Sequence, residues 1–466
     1  MRLKNKYFFL ETAALFLAVL SCTLTSCKKF VDIPGPKGAQ DQTVTFETEG
    51  TATAAVLDIY ARQEIDAPNA IFCTGLAAGE LVSDDATYAE FQNNAITLES
   101  FYNGTYLWTS PYFEIRRCNL AIDGINRSTA LSPAVKSQLL GETLFMRAYM
   151  YFNLVNLYGG VPLALSPVET ANALLPRSTT EQVWAQIFTD LQQAKSLLNP
   201  DYPSADRARA NRYAASALLA RAYLYQRDWA KAESEAAEVI GSGVYSLAPL
   251  ANTFKKNSSE TILQLYTQTG TSSITPYFFL PEPSANPVFY LRNGFEQAFE
   301  KTALGADDER KTNWTAQNDN GITYVNKYKV PFGTGDEYTI LIRLAEIYLI
   351  RAEARANQNK LTGTTGAEAD LNLIRTRAGL TPKLNLDQTA ILKAIEQERR
   401  VELFAEYTHR WFDLKRTRGF ADPSQSRADE ILPPLKGDFW QNTDVLFPVP
   451  GDQISVNKNL TQNPGY

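Results

Sequence analysis

Residues 211–241 leave the chain little freedom in how it folds. Residues 213–226 read YAASALLARAYLYQ and residues 229–240 read WAKAESEAAEVI, with Arg227-Asp228 between them. Both runs are rich in strong helix formers, and so short a link forces two helices back to back. Ala217, Ala220, Ala222, Ala232 and Ala236 recur along the facing sides. Side chains this small let the helices approach closely, with larger residues packing between them. One such hairpin cannot bury its apolar face alone, so it needs stacked neighbours.

Neighbours are readable. Residues 341–357 and 367–377 form a second pair around the turn segment GTTGAE, and residues 389–406 predict a further helix. Upstream, residues 54–63, 112–126 and 134–158 carry helical spacing, and Gly159-Gly160-Val161-Pro162 stops the last of these. Ser178-Thr-Thr-Glu181 is a capping-box signature for a helix that runs to about residue 198. The reading is a mainly α scaffold of tetratricopeptide-like (TPR-like) hairpins. Residues 242–337 differ in kind. They hold few alanines and many aromatics, Pro, Gly, Asn and Thr, with short β-like runs at 261–266 and 323–330. They predict an irregular, loop-rich insert with short β-strands.

The start of the chain reads as an export signal. Arg2, Lys4 and Lys6 precede an apolar run at residues 12–20, far shorter than the roughly 20 residues that span a bilayer. Glu11 is an awkward charge at its edge. Leu24-Thr25-Ser26-Cys27 resembles a bacterial lipobox, so Cys27 is expected to be acylated and to moor the chain in a membrane. Cys22 is a poorer acceptor, because Leu20 stands two residues before it. The expected order is therefore a signal peptide at 1–26, a tether at 27–47, scaffold at 48–241, the insert at 242–337, scaffold again at 338–417 and a loop-rich segment at 418–466.

Composition excludes several functions. The net charge is −6, and loss of residues 1–26 leaves about −8. With no Lys/Arg block, nucleic acid is not an expected partner. The single histidine, His409, rules out a multi-histidine metal site. No nucleophile elbow, zinc motif or phosphate loop is present, so no cofactor is expected. Asn318-Asp-Asn-Gly321 reads as a turn, since the remaining positions of a calcium loop are missing. Cys73 and Cys118 could pair or stay as buried thiols, and the sequence leaves both open.

Several blocks stand in a set order along the chain. They begin with Cys27-Lys-Lys-Phe-Val-Asp32 and with the segment from Gly141-Glu142 to Leu163. Arg343-Leu-Ala-Glu346 and Asn372-Leu-Ile-Arg375-Thr-Arg377 follow. The fullest block runs from Glu398-Arg399-Arg400-Val-Glu402 to Arg416, and Phe447-Pro448-Val449-Pro450 and the terminal Asn463-Pro464-Gly465-Tyr466 complete the set. In this order the blocks resemble the SusD/RagB family of outer-membrane nutrient-binding lipoproteins. The resemblance implies a non-enzymatic protein, lipid-anchored at the outer membrane and facing the cell surface. It implies a SusC-type TonB-dependent transporter as partner and an oligosaccharide, or a peptide, as ligand. A secreted hydrolase and a protein-interaction scaffold are the competing readings.

The acids and guanidiniums between Glu398 and Arg416 recur at helical spacing and read as structural ion pairs. Asp84-Asp85 and Asp307-Asp308 are adjacent in sequence, which does not supply the separation that glycoside hydrolysis requires. Ligand-binding candidates are aromatics on the non-repeat segments, where sugar rings stack and polar side chains bond hydroxyls. Residues 83–108 offer Asp84 and Tyr88, and the insert offers Tyr277, Tyr290 and Trp314. A core role competes at Trp108, which starts a helix, and at Trp314, which follows the structural-looking turn Asp307-Asp-Glu-Arg310.

Overall fold

A computed structural model describes residues 42–267, 275–283, 285–302, 304–330 and 335–466. The expected signal peptide, Cys27 and most of the tether lie outside the described residues. Contacts divide the chain after Val44, and the body begins at Thr45, with Phe46 already buried.

The first long helix, α1 (Glu49–Ala77), extends well beyond the expected 54–63. Thr48 caps it by accepting a hydrogen bond from the Thr51 amide. Pro68 lies inside it. A proline there costs about 3 kcal/mol, but Ile71, Phe72 and Leu76 beyond it are buried at roughly 1.5–3 kcal/mol each, so packing wins. Strand β1 (Leu81–Val82) follows. After a π-helical turn at Asn103–Thr109 comes α2 (Ser110–Arg127). Helix α3 (Pro133–Tyr158) is buried almost all round and stops at Gly159, whose φ of 74° suits a residue without Cβ. Helix α4 (Thr180–Leu197) starts from a capping box of Thr179 and Gln182, one residue on from the expected pair.

Helices α5 (Arg212–Tyr225) and α6 (Trp229–Gly241) form the expected hairpin, capped at Asn211 and Asp228. Its five seam alanines are all buried. The insert contributes β2 (Thr261–Leu265), β3 (Tyr290–Leu291), the short α7 (Glu309–Trp314), β4 (Thr315–Gln317) and β5 (Thr323–Val325). Strand β6 (Thr339–Arg343) then leads directly into α8 (Leu344–Asn357). Residues 341–343 were expected in the helix. They are strand because Ile340-Leu-Ile342 pairs antiparallel with β2, and both strands are buried throughout. The expected strand at 323–330 shrinks to β5, which pairs only with β4. Helices α9 (Ala367–Arg377), α10 (Gln388–Glu402) and α11 (His409–Arg416) complete the scaffold. The expected helix 389–406 breaks at Leu403, and Ala405 and Tyr407 take positive φ beyond it.

Successive helices pack on one another from α1 to α6, then α6 on α8, and α8 on α9 and α10. The architecture is mainly helical, with three two-stranded sheets among the described residues. Core residues form one large cluster and a smaller one among α8, α9 and α10. Cys73 and Cys118 are buried free thiols. No described helix is long and apolar enough to cross a membrane.

Candidate ligand-binding surface

Two residues of pairing decide where the polar part of the site sits. Strand β1 runs antiparallel to β3, with Leu81 opposite Leu291 and Val82 opposite Tyr290. That register sets Asp84, just past β1, beside the Tyr290 side chain. Tyr290 Oη donates to Asp84 Oδ1 at 2.6 Å, and Asn286 Nδ2 donates to Asp84 Oδ2 at 3.2 Å. Burial and the neighbouring Asp84 carboxylate push the Tyr290 phenol up to about 12, so it is a neutral hydroxyl at ordinary pH.

The tip of the β4–β5 hairpin extends this cluster. Asn286 Oδ1 accepts from Asn318 Nδ2 at 3.0 Å and from Asn320 Nδ2 at 3.1 Å. Asn318 Oδ1 also accepts the Asn320 and Ile322 amides, and Gly321 has φ 74°. The segment at 318–321 is thus a turn, held by its own asparagine. One carboxylate, one phenol and three amides share an exposed patch. These groups suit paired donor and acceptor bonds to hydroxyls.

An aromatic series runs alongside. Phe101, Tyr102 and Tyr106 contact one another at 5.5–5.8 Å between ring centroids. Tyr102 meets Tyr88 at 4.8 Å, and their hydroxyls bond at 2.9 Å. Tyr88 meets Phe289, Phe289 stacks on Phe72 at 4.2 Å, and Phe72 leads through Phe278 to Tyr277. The middle is core, and the ends reach solvent: Phe101 is 62% exposed and Tyr277 48%. Tyr102 and Tyr106 are half-buried.

The structure therefore brings Asp84 and Tyr290 into contact and puts Tyr277 at one end of the ring series. Tyr88 is only 7% exposed and supports Tyr102 more than it offers a face of its own. Trp314 is a correction. It is 1% exposed, its Nε1 donates to the Leu250 carbonyl at 3.0 Å, and Phe254 packs edge-on against it. A ring enclosed in this way has no face for a ligand. Asn286, Asn318, Asn320 and Phe101 were not singled out as ligand contacts. Their meeting depends on loop geometry that no local pattern encodes.

The ion-pair lattice centred on Glu402 lies elsewhere and is internal. Arg310 bonds Asp308, Glu398 and Glu402, while Arg343 bonds Glu260, Glu402 and Glu406. Arg377 joins Glu260 and Glu402, and Lys327 donates to Glu406 at 2.5 Å. Burial opposes the charged Glu402, but Arg377, Arg343 and Arg310 outweigh it and hold the carboxyl well below the usual range. A carboxylate kept ionised by three guanidiniums, with no exposure, is a poor proton donor and faces no cleft. Among the described residues, no group of three or more His, Cys, Asp or Glu side chains could hold a metal ion.

Residues 251–466 match the profile of the SusD family. Residues 35–224 match a SusD-like profile described as starch-binding, associating with the outer membrane. A SusD-like protein of Formosa agariphila is 26% identical over 77% of this chain and 79% of its own length. The starch-binding protein SusD of Bacteroides thetaiotaomicron is 24% identical, with both chains covered in full. Among solved structures, a SusD-like protein of Bacteroides fragilis superposes with a TM-score of 0.75 at 23% identity, covering 92% of this chain and 99% of that one. A laminarin-binding SusD-like protein superposes at 0.70, with 23% identity, over 90% of this chain and all of that one.

Proposed function

The chain belongs to the SusD family, and from that premise we propose that it captures a glycan oligomer at the outer membrane and passes it, unaltered, to a SusC-type TonB-dependent transporter. The observation that carries the reading is the exposed patch of Asp84, Tyr290, Asn286, Asn318 and Asn320 beside a series of rings ending at Phe101 and Tyr277. Sugar rings offer apolar C–H faces for stacking and hydroxyls for hydrogen bonds. The patch and the rings thus supply the two halves of a sugar contact. The family descriptions support a starch-like or other glycan ligand.

Absence of chemistry is part of the proposal. Asp84 has both oxygens engaged, one by a phenol and one by an amide, and the carboxylates of the internal ion-pair lattice are neutralised by arginines and Lys327. Acylation at Cys27 would moor the body, with residues after it as a tether. Delivery rests on the family and predicts co-purification with a large β-barrel.

The test is calorimetry with maltoheptaose and laminarihexaose, followed by chromatography of the mixture. Saturable binding, weakened in Asp84→Ala and with the oligomer recovered intact, is the expected result. Shortened products would move the assignment to a hydrolase. Binding of neither these oligomers nor any member of a wider glycan and peptide array would remove the nutrient role.

A further inference from the structure

A cavity that shares no residue with the aromatic surface opens where the α5–α6 turn meets α10 and the end of α11. Its volume is about 420 Å³ and its apolar wall is Leu224, Trp229, Leu392, Ile395 and Phe420. Beyond Phe420 lies a neighbouring hollow that shares Phe420 and Glu396 with it. A space of this size accepts a small molecule or one or two residues of a chain, and is small for an oligosaccharide.

The charges around it do not balance. Every lining carboxylate is already engaged. Glu353 takes both Nη atoms of Arg416 at 2.6 and 2.8 Å, and Asp413 takes Arg399 and Arg416. Glu396 takes Arg410 and Arg427. Arg227 and Arg418 also line the cavity, and neither has a carboxylate partner among the described residues. Arg227 Nη2 only donates to the Arg416 carbonyl at 2.9 Å.

Burial first, then Arg418 and Arg416, hold the Arg227 guanidinium below its ordinary value, with Glu353 opposing. Arg227 also occupies a left-handed backbone position, φ 59°, at the hairpin turn, which is uncommon for a residue with a side chain. Apolar wall and surplus cation together define a complementary ligand: an anionic head on an apolar body.

We propose that this cavity is a binding site for a carboxylate carried on a short apolar stem. The stem lies against Trp229 and Phe420, and the carboxylate sits between Arg227 and Arg418. The chemistry is shared by a free amphipathic acid and by the terminal residue of a polypeptide.

Calorimetry on the full protein with N-acetyl-leucyl-phenylalanine, its C-terminal amide and octanoate tests this. Loss of a charge-assisted pair predicts that the amide binds at least about tenfold more weakly than the acid. Arg418→Gln, at an exposed position, should abolish that preference without changing the melting temperature. Asp84→Ala should keep it. Octanoate binding without dipeptide binding assigns the site to a free acid, and tighter dipeptide binding assigns it to a chain terminus. Equal affinity for acid and amide, no binding of either acid at millimolar concentration, or an acid preference that survives Arg418→Gln would overturn the proposal. The glycan titrations read a different surface, so either result can fail alone.

Discussion

Tyr290 shows how one hydroxyl can serve both structure and recognition. Its bond to Asp84 fixes the carboxylate, and its half-buried ring borders the patch. Tyr290→Phe should weaken oligosaccharide binding by about 1 kcal/mol, roughly fivefold, with melting temperature nearly unchanged. Calorimetry and thermal unfolding of the same preparation check both halves. Glu114, on α2, makes a separate stability prediction. Burial pushes its carboxyl up to about 8, with Arg117 opposing and Asp66 and Asp58 assisting, and Oε2 has no hydrogen-bond partner. The folded state then keeps a proton that the unfolded state releases above about 4.3. Stability is therefore lost as pH rises from that value towards 8. Glu114→Gln removes the linkage, so its melting temperature should gain on the parent between pH 5 and pH 8. A constant difference across that range would contradict the assignment. At this scale the sequence was informative about residue type and silent about neighbours. Asp84, Tyr277 and Tyr290 stood out as polar or aromatic residues outside the repeats. Trp314 belonged to the same class by composition, yet the ion-pair lattice beside α7 encloses it.

Among elements, helices with good caps and alanine seams were legible to within a residue or two, as α5 and α6 show. Errors came where packing overrode local preference, at Pro68 in α1 and at Ile340–Ile342 in β6. The two-residue ladder of β1 and β3 was invisible, because so short a strand has no period, yet it places Asp84. Gly75 on α1 is what lets β1 approach. A Cβ there would fall 2.6 Å from Leu81 Cδ1. Gly75→Ala should cost about 1–3 kcal/mol through overpacking and reduce oligosaccharide affinity by displacing β1; paired denaturation and binding curves measure both. Arg310 joins α7 to α10. Arg310→Met would leave Asp308, Glu398 and Glu402 short of a partner in the core, and removing one member of such a buried set costs about 3–5 kcal/mol. Urea unfolding reads that loss directly, and a change under about 1 kcal/mol would argue that the lattice is not what joins these elements.

For the molecule as a whole, the stacked hairpins form a frame, and the insert is tied into it by the pairing of β2 with β6. The frame explains why recognition can sit on irregular segments without losing geometry, since loops carry specificity when a scaffold holds their ends. Helical periodicity made the frame readable in advance, while contacts between segments some 200 residues apart, such as Asp84 with Tyr290, became visible only in three dimensions. The account stands most directly on one titration: maltoheptaose and laminarihexaose into the parent, Asp84→Ala and Tyr290→Phe proteins, with chromatography of each mixture afterwards. It predicts saturable binding by the parent, weaker binding by both variants and intact oligomer throughout. Undiminished binding in both variants, or release of shorter sugars, would contradict it.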